Sequence, residues 1–427
     1  MNESARQQTV GPPVSSAVHD HHVVAEPLQG NGKVPFLTRG VGVLMALAVA
    51  GLAVLAWRLV FGVGSVTNLD TNYPWGLWIG IDVATGVALA AGGFTTSFLA
   101  HILNKDQYEA VVRPALLTAM LGYTFVGLGV AIDLGRYYNI WHIFLPRMWQ
   151  GNSALFEVGV CVTMYVTVLY IEFLPIVCER FKNRVNLPGP LKILNAPLNL
   201  YLRTADRFLD KTITIFLMLG VVLSCAHQSS LGTLLVIAPS KLHPLWHTQV
   251  LPLQFLLSAF AVGLSMVIFE AYLASRSFRR EFELDVLAPL GRLIPFLLTV
   301  YFGSKLIDMV NRGTYAYLGD GSLQSISWLV EMIGGVFVPA FILMAHRLRR
   351  QPKWLFAASA MVVGGAALNR VNVFLIGFRP QFGEGPYVPA VPEVVLTVGF
   401  ISLLVLLYRS YVWVFPILSR EEGKHHG

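Results

Sequence analysis

The sequence predicts an all-α integral membrane protein with about ten transmembrane helices. Of its 427 residues, 55% are hydrophobic and 13% are charged, with a mean hydropathy of +0.61. Soluble domains carry about 25% charged residues, and a helix needs about 20 apolar residues to cross a bilayer. Ten stretches of that kind lie at 41–61, 75–101, 112–135, 153–178, 211–238, 250–275, 286–310, 322–346, 354–377 and 391–415.

The connecting loops alternate in positive charge, and this predicts the orientation. Lys and Arg number 17 in one set of loops (102–113, 180–211, 276–292 and 347–353) and five in the other set. Cytoplasmic loops are the positive ones, so both termini are expected in the cytoplasm. The net charge of +7 therefore follows topology, and we expect no nucleic-acid partner.

The two ends of the chain read as tails. Residues 1–40 are polar and carry His19, His21 and His22, which we interpret as a disordered cytoplasmic tail. A metal-binding tract is the alternative. The first apolar run lacks a small-residue cleavage motif and is expected to be a retained helix. Residues 416–427 are predicted to form a second cytoplasmic tail after a transmembrane domain at 41–415.

Two other features concern the loops and the cysteines. The stretch LNLYLRTADRFLDK, within the positive loop 180–211, is amphipathic and predicts a helix on the membrane surface, with partner docking as the alternative. The outer loops are rich in aromatic residues, which suits an interfacial belt, a docking surface for a periplasmic protein, or both. Cys161, Cys178 and Cys225 lack CxxC spacing, so we expect packing thiols without a disulfide, zinc or iron–sulfur cluster.

Ionisable residues inside the spans gather near the outer face. From a rise of 1.5 Å per residue, Asp82 lies about 10 Å below that face on the second span. Asp133 ends the third span, and the spacing places Arg136 and Tyr137 on the same side of a helix turn. Glu157 lies about one turn into the fourth span, and His227 lies near mid-depth on the fifth.

The remaining buried charges are interpreted as pairs or as members of a proton path. Lys305 with Asp308, and Glu331 with Arg370, are predicted structural ion pairs. Glu172 and Glu270 approach the inner face, where they serve as proton-transfer candidates or simply reach water. A charge at the bilayer centre costs at least ~2.5 kcal/mol, so all of these groups should face the bundle interior.

The residue types suit a quinone. Its head group needs hydrogen-bond donors, aromatic walls and a nearby proton donor, and Trp75, Trp78, Tyr137, Arg136 and the outer carboxylates supply them. A transporter site could use the same types. Only His227 is deep, so a bis-histidine haem is not expected, and no metal site or nucleotide motif occurs.

The chain resembles the NrfD/polysulfide reductase membrane-subunit family, and within it the ten-helix HybB-type subunit of nickel–iron hydrogenases. The resemblance runs from about residue 58 to 270 and rests on RLVFGVGSVTNL, PWGLWIGIDVATGVALAAGG, IDLGRYYNIW, EFLPIVCER and HQSSLGTLL. It implies a haem-free bundle in the bacterial inner membrane that reacts with menaquinone or ubiquinone.

The same resemblance implies partners and site residues. The partners would be a periplasmic, ferredoxin-like iron–sulfur subunit (HybA-like) and the small and large hydrogenase subunits. Glu157, His227, Glu172 and Glu270 would transfer protons. Other catalytic heads, such as polysulfide, formate or molybdopterin reductases, are the alternative within the family, and a secondary transporter is the alternative outside it. The implied quinone-binding residues are Trp75, Gly76, Trp78, Asp82, Asp133, Arg136 and Tyr137.

Overall fold

A computed structural model describes residues 35–103, 105–380, 382 and 387–418 and confirms ten helices of membrane-spanning length among them. Each lies within a few residues of its predicted bounds, except that the fifth begins earlier. Spans 1 to 10 are, in order, Arg39–Phe61, Trp78–Ile102, Glu109–Asp133, Ala154–Phe181, Gly189–Val236, Leu251–Phe278, Leu284–Arg312, Leu323–Met344, Pro352–Ile376 and Val391–Val414.

The bundle has a basic end and an aromatic end. The basic end carries the loops 103–108, 182–188, 279–283 and 345–351, and the aromatic end carries the connections rich in Trp and Tyr. Both described termini lie at the basic end, because the Arg409 guanidinium donates to the carbonyls of Pro35 and Phe36. The positive-inside rule predicts that this end is cytoplasmic.

Parts of the two predicted tails are packed. Besides the Pro35 and Phe36 contacts, Arg113 donates to the Pro416 carbonyl at 2.9 Å, and Ile417 is buried. Residues at both predicted boundaries are therefore packed against the bundle. Residues 1–34, with the histidines of the N-terminal tail, and 419–427 lie outside the described part of the chain.

Span 5 is much longer than the membrane is thick. Its α-helix runs without a break from Asn195 to Val236, 42 residues, or about 63 Å. The predicted surface helix is its first part, held against the end of span 4 by bonds from Cys178 to the Leu202 carbonyl and from Arg203 to Asn183. The stretch is helical, as predicted, but it continues without a break into the membrane-spanning part of the same helix.

Glycines allow several spans to touch backbone to backbone. Gly51 of span 1 meets Gly399 of span 10, and Gly335 of span 8 meets Gly365 of span 9. Lipid offers helices little hydrophobic reason to associate, so close packing of small residues holds such pairs together. The three cysteines are free.

Three spans contain π-helical turns beside their buried polar residues. The segment Trp78–Thr85 includes Asp82, Ile333–Phe337 follows Glu331, and Asn372–Ile376 follows Arg370. Such widened turns often accompany functional sites.

Replacing Gly365 by Ala is expected to lower the thermal unfolding temperature of the protein in detergent. The added Cβ would overlap the Gly335 Cα, so spans 8 and 9 must separate, at a cost of about 1–3 kcal/mol. Gly364→Ala is the matched control, since its Cβ meets no atom within 4 Å. Equal unfolding temperatures for the two variants would contradict the packing described here.

Candidate functional site

Spans 2 and 10 are joined at the aromatic end by two polar contacts one helical turn apart. The Trp78 indole donates to the Glu393 carbonyl at 3.2 Å, and the Thr397 hydroxyl donates to Asp82 at 2.7 Å. Residues four apart lie on one helix face, so each helix presents a continuous strip to the other. Trp78 and Asp82 therefore share a face, as expected, but Trp78 is fully buried and serves packing.

Glu393 is the centre of this arrangement. Its carboxylate accepts hydrogen bonds from the Tyr387 hydroxyl and from the backbone N–H groups of Asn68 and Ala390. Burial first, and then the bond to Glu393, raise the pKa of Tyr387, so this phenol keeps its proton. Gly76 makes room for it, because a Cβ at that position would overlap the Tyr387 oxygen.

Asp133 lies beside these groups with an unsatisfied oxygen. Its Oδ1 is buried and has no hydrogen-bond partner within the described residues. Asp133 interacts electrostatically with Glu393 and with Arg58 of span 1. Arg58 is fully buried, donates to the carbonyls of Ile132 and Leu134 at the end of span 3, and lies over the Tyr137 ring at 5.0 Å.

The predicted grouping of Asp133, Arg136 and Tyr137 on one helix turn is wrong. Span 3 ends at Asp133, and Leu134 has extended backbone angles, so helical spacing does not continue beyond it. Arg136 is exposed. The cation near Asp133 is Arg58. Tyr137 contacts Arg58, whose guanidinium lies over its ring.

Trp75 faces a different neighbour from Trp78. Its ring packs edge-on against Phe374, near the end of span 9, and Phe378, just after it, at 6.1 and 5.9 Å between centroids. Its indole nitrogen is buried without a hydrogen-bond partner in the described part of the chain. An aromatic wall with a free donor thus stands next to the Gly76–Tyr387 contact.

A second polar group lies near mid-depth around His227. Its Nδ1 lies 2.7 Å from the Leu223 carbonyl, which can only accept, so Nδ1 carries the proton. The other nitrogen, Nε2, accepts from the Tyr123 hydroxyl at 2.5 Å. Gln228 donates to that hydroxyl at 3.3 Å, and the Tyr165 ring packs on both Tyr123 and His227.

Glu157 and Glu172 lie on either side of this group along span 4. Ser230, three residues after His227, donates to Glu157 at 2.5 Å near the aromatic end. Glu172, fifteen residues or about 22 Å further along span 4, is buried beside Gly220, where a Cβ would lie 2.6 Å from its Oε1. The two carboxylates and the mid-depth group form a polar column between spans 3, 4 and 5.

Glu270 stands apart from that column. Thr118 of span 3 donates to it at 2.6 Å. It lines a cavity of about 70 Å³ that extends past Ser275 to Arg280 and Glu283 at the basic end. The cavity is lined mainly by apolar side chains, and its polar members lie toward the basic end.

The four predicted ion-pair residues pair differently from expected. Lys305 of span 7 bonds Glu331 of span 8 at 2.7 Å, whereas Asp308 bonds Arg312. Lys305 and Glu331 each lie about 10–12 Å from the aromatic end of their helix. Because they are level with each other, their side chains can meet. Arg370 reaches Glu331 only through Asn369, to whose Oδ1 it donates at 2.5 Å.

Glu331 collects five donors in all. Besides Lys305 and Asn369, they are the Trp246 indole, the Tyr301 hydroxyl and the Asn372 amide. Arg370 lies 3.7 Å above the Phe255 ring. One carboxylate therefore organises two buried cations, and span 9 presents this network on one side and Phe374, beside Trp75, on the other.

Several of these residues were missed from the sequence. Each of them is a polar residue inside an apolar stretch or in its first turn. The same feature identified Asp82 from the sequence. They are Arg58, Glu393, Tyr123, Tyr165 and Gln228.

The comparisons with known proteins agree with this architecture. The profile of the polysulphide reductase NrfD family matches residues 65–379. A protein of Nitratidesulfovibrio vulgaris is 39% identical, over 87% of this chain and 92% of the relative. An Escherichia coli protein named "Probable Ni/Fe-hydrogenase 2 b-type cytochrome subunit" is 32% identical, over 94% of this chain and 97% of the relative. The menaquinone reductase integral membrane subunit of N. vulgaris is 27% identical, over 84% of this chain and 88% of the relative.

The fold and these relatives define the class, a multi-pass membrane subunit of a respiratory oxidoreductase in the bacterial inner membrane. Within that class, the chain belongs to the NrfD family.

The name of the E. coli relative raises the question of haem. An axial histidine needs a ring nitrogen facing the iron, but both nitrogens of His227 are occupied by Leu223 and Tyr123. The other histidines of the described chain lie at or beyond the ends of spans. These residues do not fit a haem spanning two helices.

Replacing Glu331 by Gln is expected to destabilise the protein strongly. The change leaves Lys305 and Arg370 buried without their carboxylate, and breaking a buried pair typically costs about 3–5 kcal/mol. The unfolding temperature in detergent measures this. Glu179→Gln, which removes the half-exposed partner of Arg113, should cost under about 1 kcal/mol. Similar losses in both variants would contradict the central position of Glu331.

Proposed function

We propose that the chain is the quinone-reactive membrane subunit of a periplasm-facing respiratory nickel–iron hydrogenase. Electrons would arrive from a docked iron–sulfur subunit, itself linked to the small and large hydrogenase subunits. Menaquinone or ubiquinone would be reduced at the aromatic end. The proposal is supported by the hydrogenase name of the E. coli relative, which is aligned along nearly its whole length.

One observation carries the quinone assignment. Two carboxylates, Asp133 and Glu393, and the Arg58 guanidinium interact across spans 1, 3 and 10. Asp82 of span 2 joins the same face of span 10 one helical turn further along, through Thr397. Asp133 keeps an unpaired buried oxygen, and the Trp75 indole at the same end of the bundle keeps an unpaired donor, within the described part of the chain. A quinone head group needs a donor for one carbonyl and a proton source for the reduced oxygens, and these two groups supply them.

The division of labour follows from the contacts. Trp75 would donate to a quinone oxygen while Phe374 and Phe378 hold its indole in place. Asp133, with Arg58 beside it, would give up a proton as two electrons and two protons convert quinone to quinol. Glu393 and Asp82 already have partners, so they fix the site. Gly76 and Trp78 hold the helix start, and Arg136 and Tyr137 would line its outer rim.

The polar column would carry protons to or from that site. His227 would hold a transferred proton at Nε2, the nitrogen that faces the Tyr123 hydroxyl, while Nδ1 keeps its own proton on the Leu223 carbonyl and fixes the ring. Glu157 and Ser230 lie toward the aromatic end, and Glu172 lies toward the basic end. Glu270, with its cavity, would exchange protons with the cytoplasm.

A different catalytic head is the second candidate. The menaquinone reductase subunit and a selenate reductase subunit of Mesobacillus selenatarsenatis are 27% and 24% identical to this chain. They are less similar than the hydrogenase relative, which favours hydrogenase. A transporter is not favoured, because these relatives are subunits of oxidoreductases. Purification distinguishes the two candidates. If the hydrogenase assignment is right, nickel–iron and iron–sulfur subunits will co-purify with the chain.

Replacing Asp133 by Asn in the complete complex is expected to lower hydrogen-dependent quinone reduction about 100-fold, the scale of a lost general acid. Hydrogen-dependent reduction of an artificial dye at the catalytic head should stay unchanged. Asp320→Asn is the matched control, an exposed carboxylate at the same end of the bundle. Unchanged quinone reduction in the Asp133 variant would sink the site assignment.

Replacing Tyr123 by Phe is expected to slow proton delivery, because it removes the hydroxyl bonded to His227 Nε2. Quinone turnover should fall about 100-fold, together with any pH change across proteoliposomes, while dye reduction stays intact. Tyr170→Phe is the control, since that hydroxyl contacts Thr124 at an exposed position. A Tyr123 variant indistinguishable from the Tyr170 variant would remove the column from the mechanism.

A further inference from the structure

A second cavity lies at the basic end, between spans 7 and 8, far from the carboxylate group described above. It measures about 500 Å³ and opens to the surface. Three of its lining residues are basic and three are apolar, and no carboxylate lines it in the described part of the chain. The lining residues are Arg292, Pro295, Leu343, Met344, His346 and Arg349.

Two of the basic residues, Arg292 and Arg349, are held close together. The aliphatic part of Arg349 lies across Gly291, 3.6 Å from the position of a Cβ there, which brings it next to Arg292. Arg349 also donates to the Leu343 carbonyl at 2.6 Å and is thereby fixed. Its pKa is lowered by burial and then by Arg292 and Arg350. Like charges gathered without a carboxylate favour an anion.

The surface beside these cations, toward the membrane interior, is apolar and faces outward. Phe296 follows Arg292 by one turn and is 69% exposed, and Phe341 and Met344 of span 8 are 80% and 66% exposed. A free phosphate would have no use for this surface, whereas an acyl chain would cover it. From the basic end toward the membrane interior, the surface is first cationic and then apolar. This order matches the head group and the acyl chains of a phospholipid in the cytoplasmic leaflet.

We propose that this cavity binds an anionic phospholipid. Its phosphodiester lies against Arg292, His346 and Arg349, and its acyl chains lie along Phe296, Phe341 and Met344. Basic pockets between membrane helices on the cytoplasmic side are typical of such lipids. The site would anchor spans 7 and 8, which also carry Lys305 and Glu331.

The experiment uses the purified full-length protein with its co-purifying subunits, stripped of lipid by detergent. Phosphatidylglycerol or phosphatidylcholine is added, and bound lipid is counted by native mass spectrometry beside the unfolding temperature. We expect phosphatidylglycerol, and not phosphatidylcholine, to bind and to raise the unfolding temperature. Arg292→Gln and Arg349→Gln should each weaken binding about fivefold, the usual contribution of one Arg at an anionic lipid surface.

The controls distinguish a bound lipid from a free anion and from a loss of folding. Arg347→Gln removes the same charge from the same loop at an exposed position outside the cavity, and it should bind as the unchanged protein does. Arg349→Lys keeps the charge and should retain most binding if Arg349→Gln folds poorly. Equal binding by the Arg292 and Arg347 variants would overturn the proposal. Full stabilisation by inorganic phosphate alone would also overturn it. So would Arg292→Gln or Arg349→Gln variants that bind lipid normally but no longer co-purify with a protein subunit.

Discussion

A charged group inside a membrane has to find its partner within the protein, and this constraint organises the whole bundle. Moving an unpaired charge to the bilayer centre costs at least ~2.5–3.5 kcal/mol. Arg58 meets the requirement at the carbonyls that end span 3, and Glu331 meets it with five donors. Helices that share such a group cannot rotate or slide independently, so the polar contacts fix the arrangement that apolar packing alone would leave loose.

The constraint also shows where pairing is incomplete. Around Glu331 nearly every polar atom has a partner, which is typical of a network that holds structure. At the aromatic end, Asp133 and Trp75 each keep a buried atom without one among the described residues. Buried unsatisfied groups are costly. Arg58, which interacts with Asp133, also keeps one nitrogen without a partner in the described part of the chain, and this favours a place where a substrate supplies the missing partners. Span 9 lies between the two groups and holds Phe374 against Trp75.

The sequence predicted the number and the bounds of the spans closely, because hydropathy reports the surroundings of each residue directly. It also identified Asp82, Glu331 and His227 as polar residues inside membrane-spanning helices. It could not give the direction in which a side chain points around its helix, so it paired Lys305 with Asp308, when Glu331 lay at the same depth. Arg58 and Glu393 lie within about one turn of a span end. Charged residues are common there, so nothing in the sequence singles these two out. The fifth helix began early for a related reason, since an amphipathic start resembles a loop.

The most direct test of a quinone site at the aromatic end is photo-crosslinking with a light-activated quinone analogue in the intact complex, followed by mapping of the labelled peptides. The account predicts label between Trp75 and Asp82 and around Asp133 and Tyr387, and excess natural quinone should remove it. Label concentrated at the basic end, in the cavity beside Glu270, would contradict it.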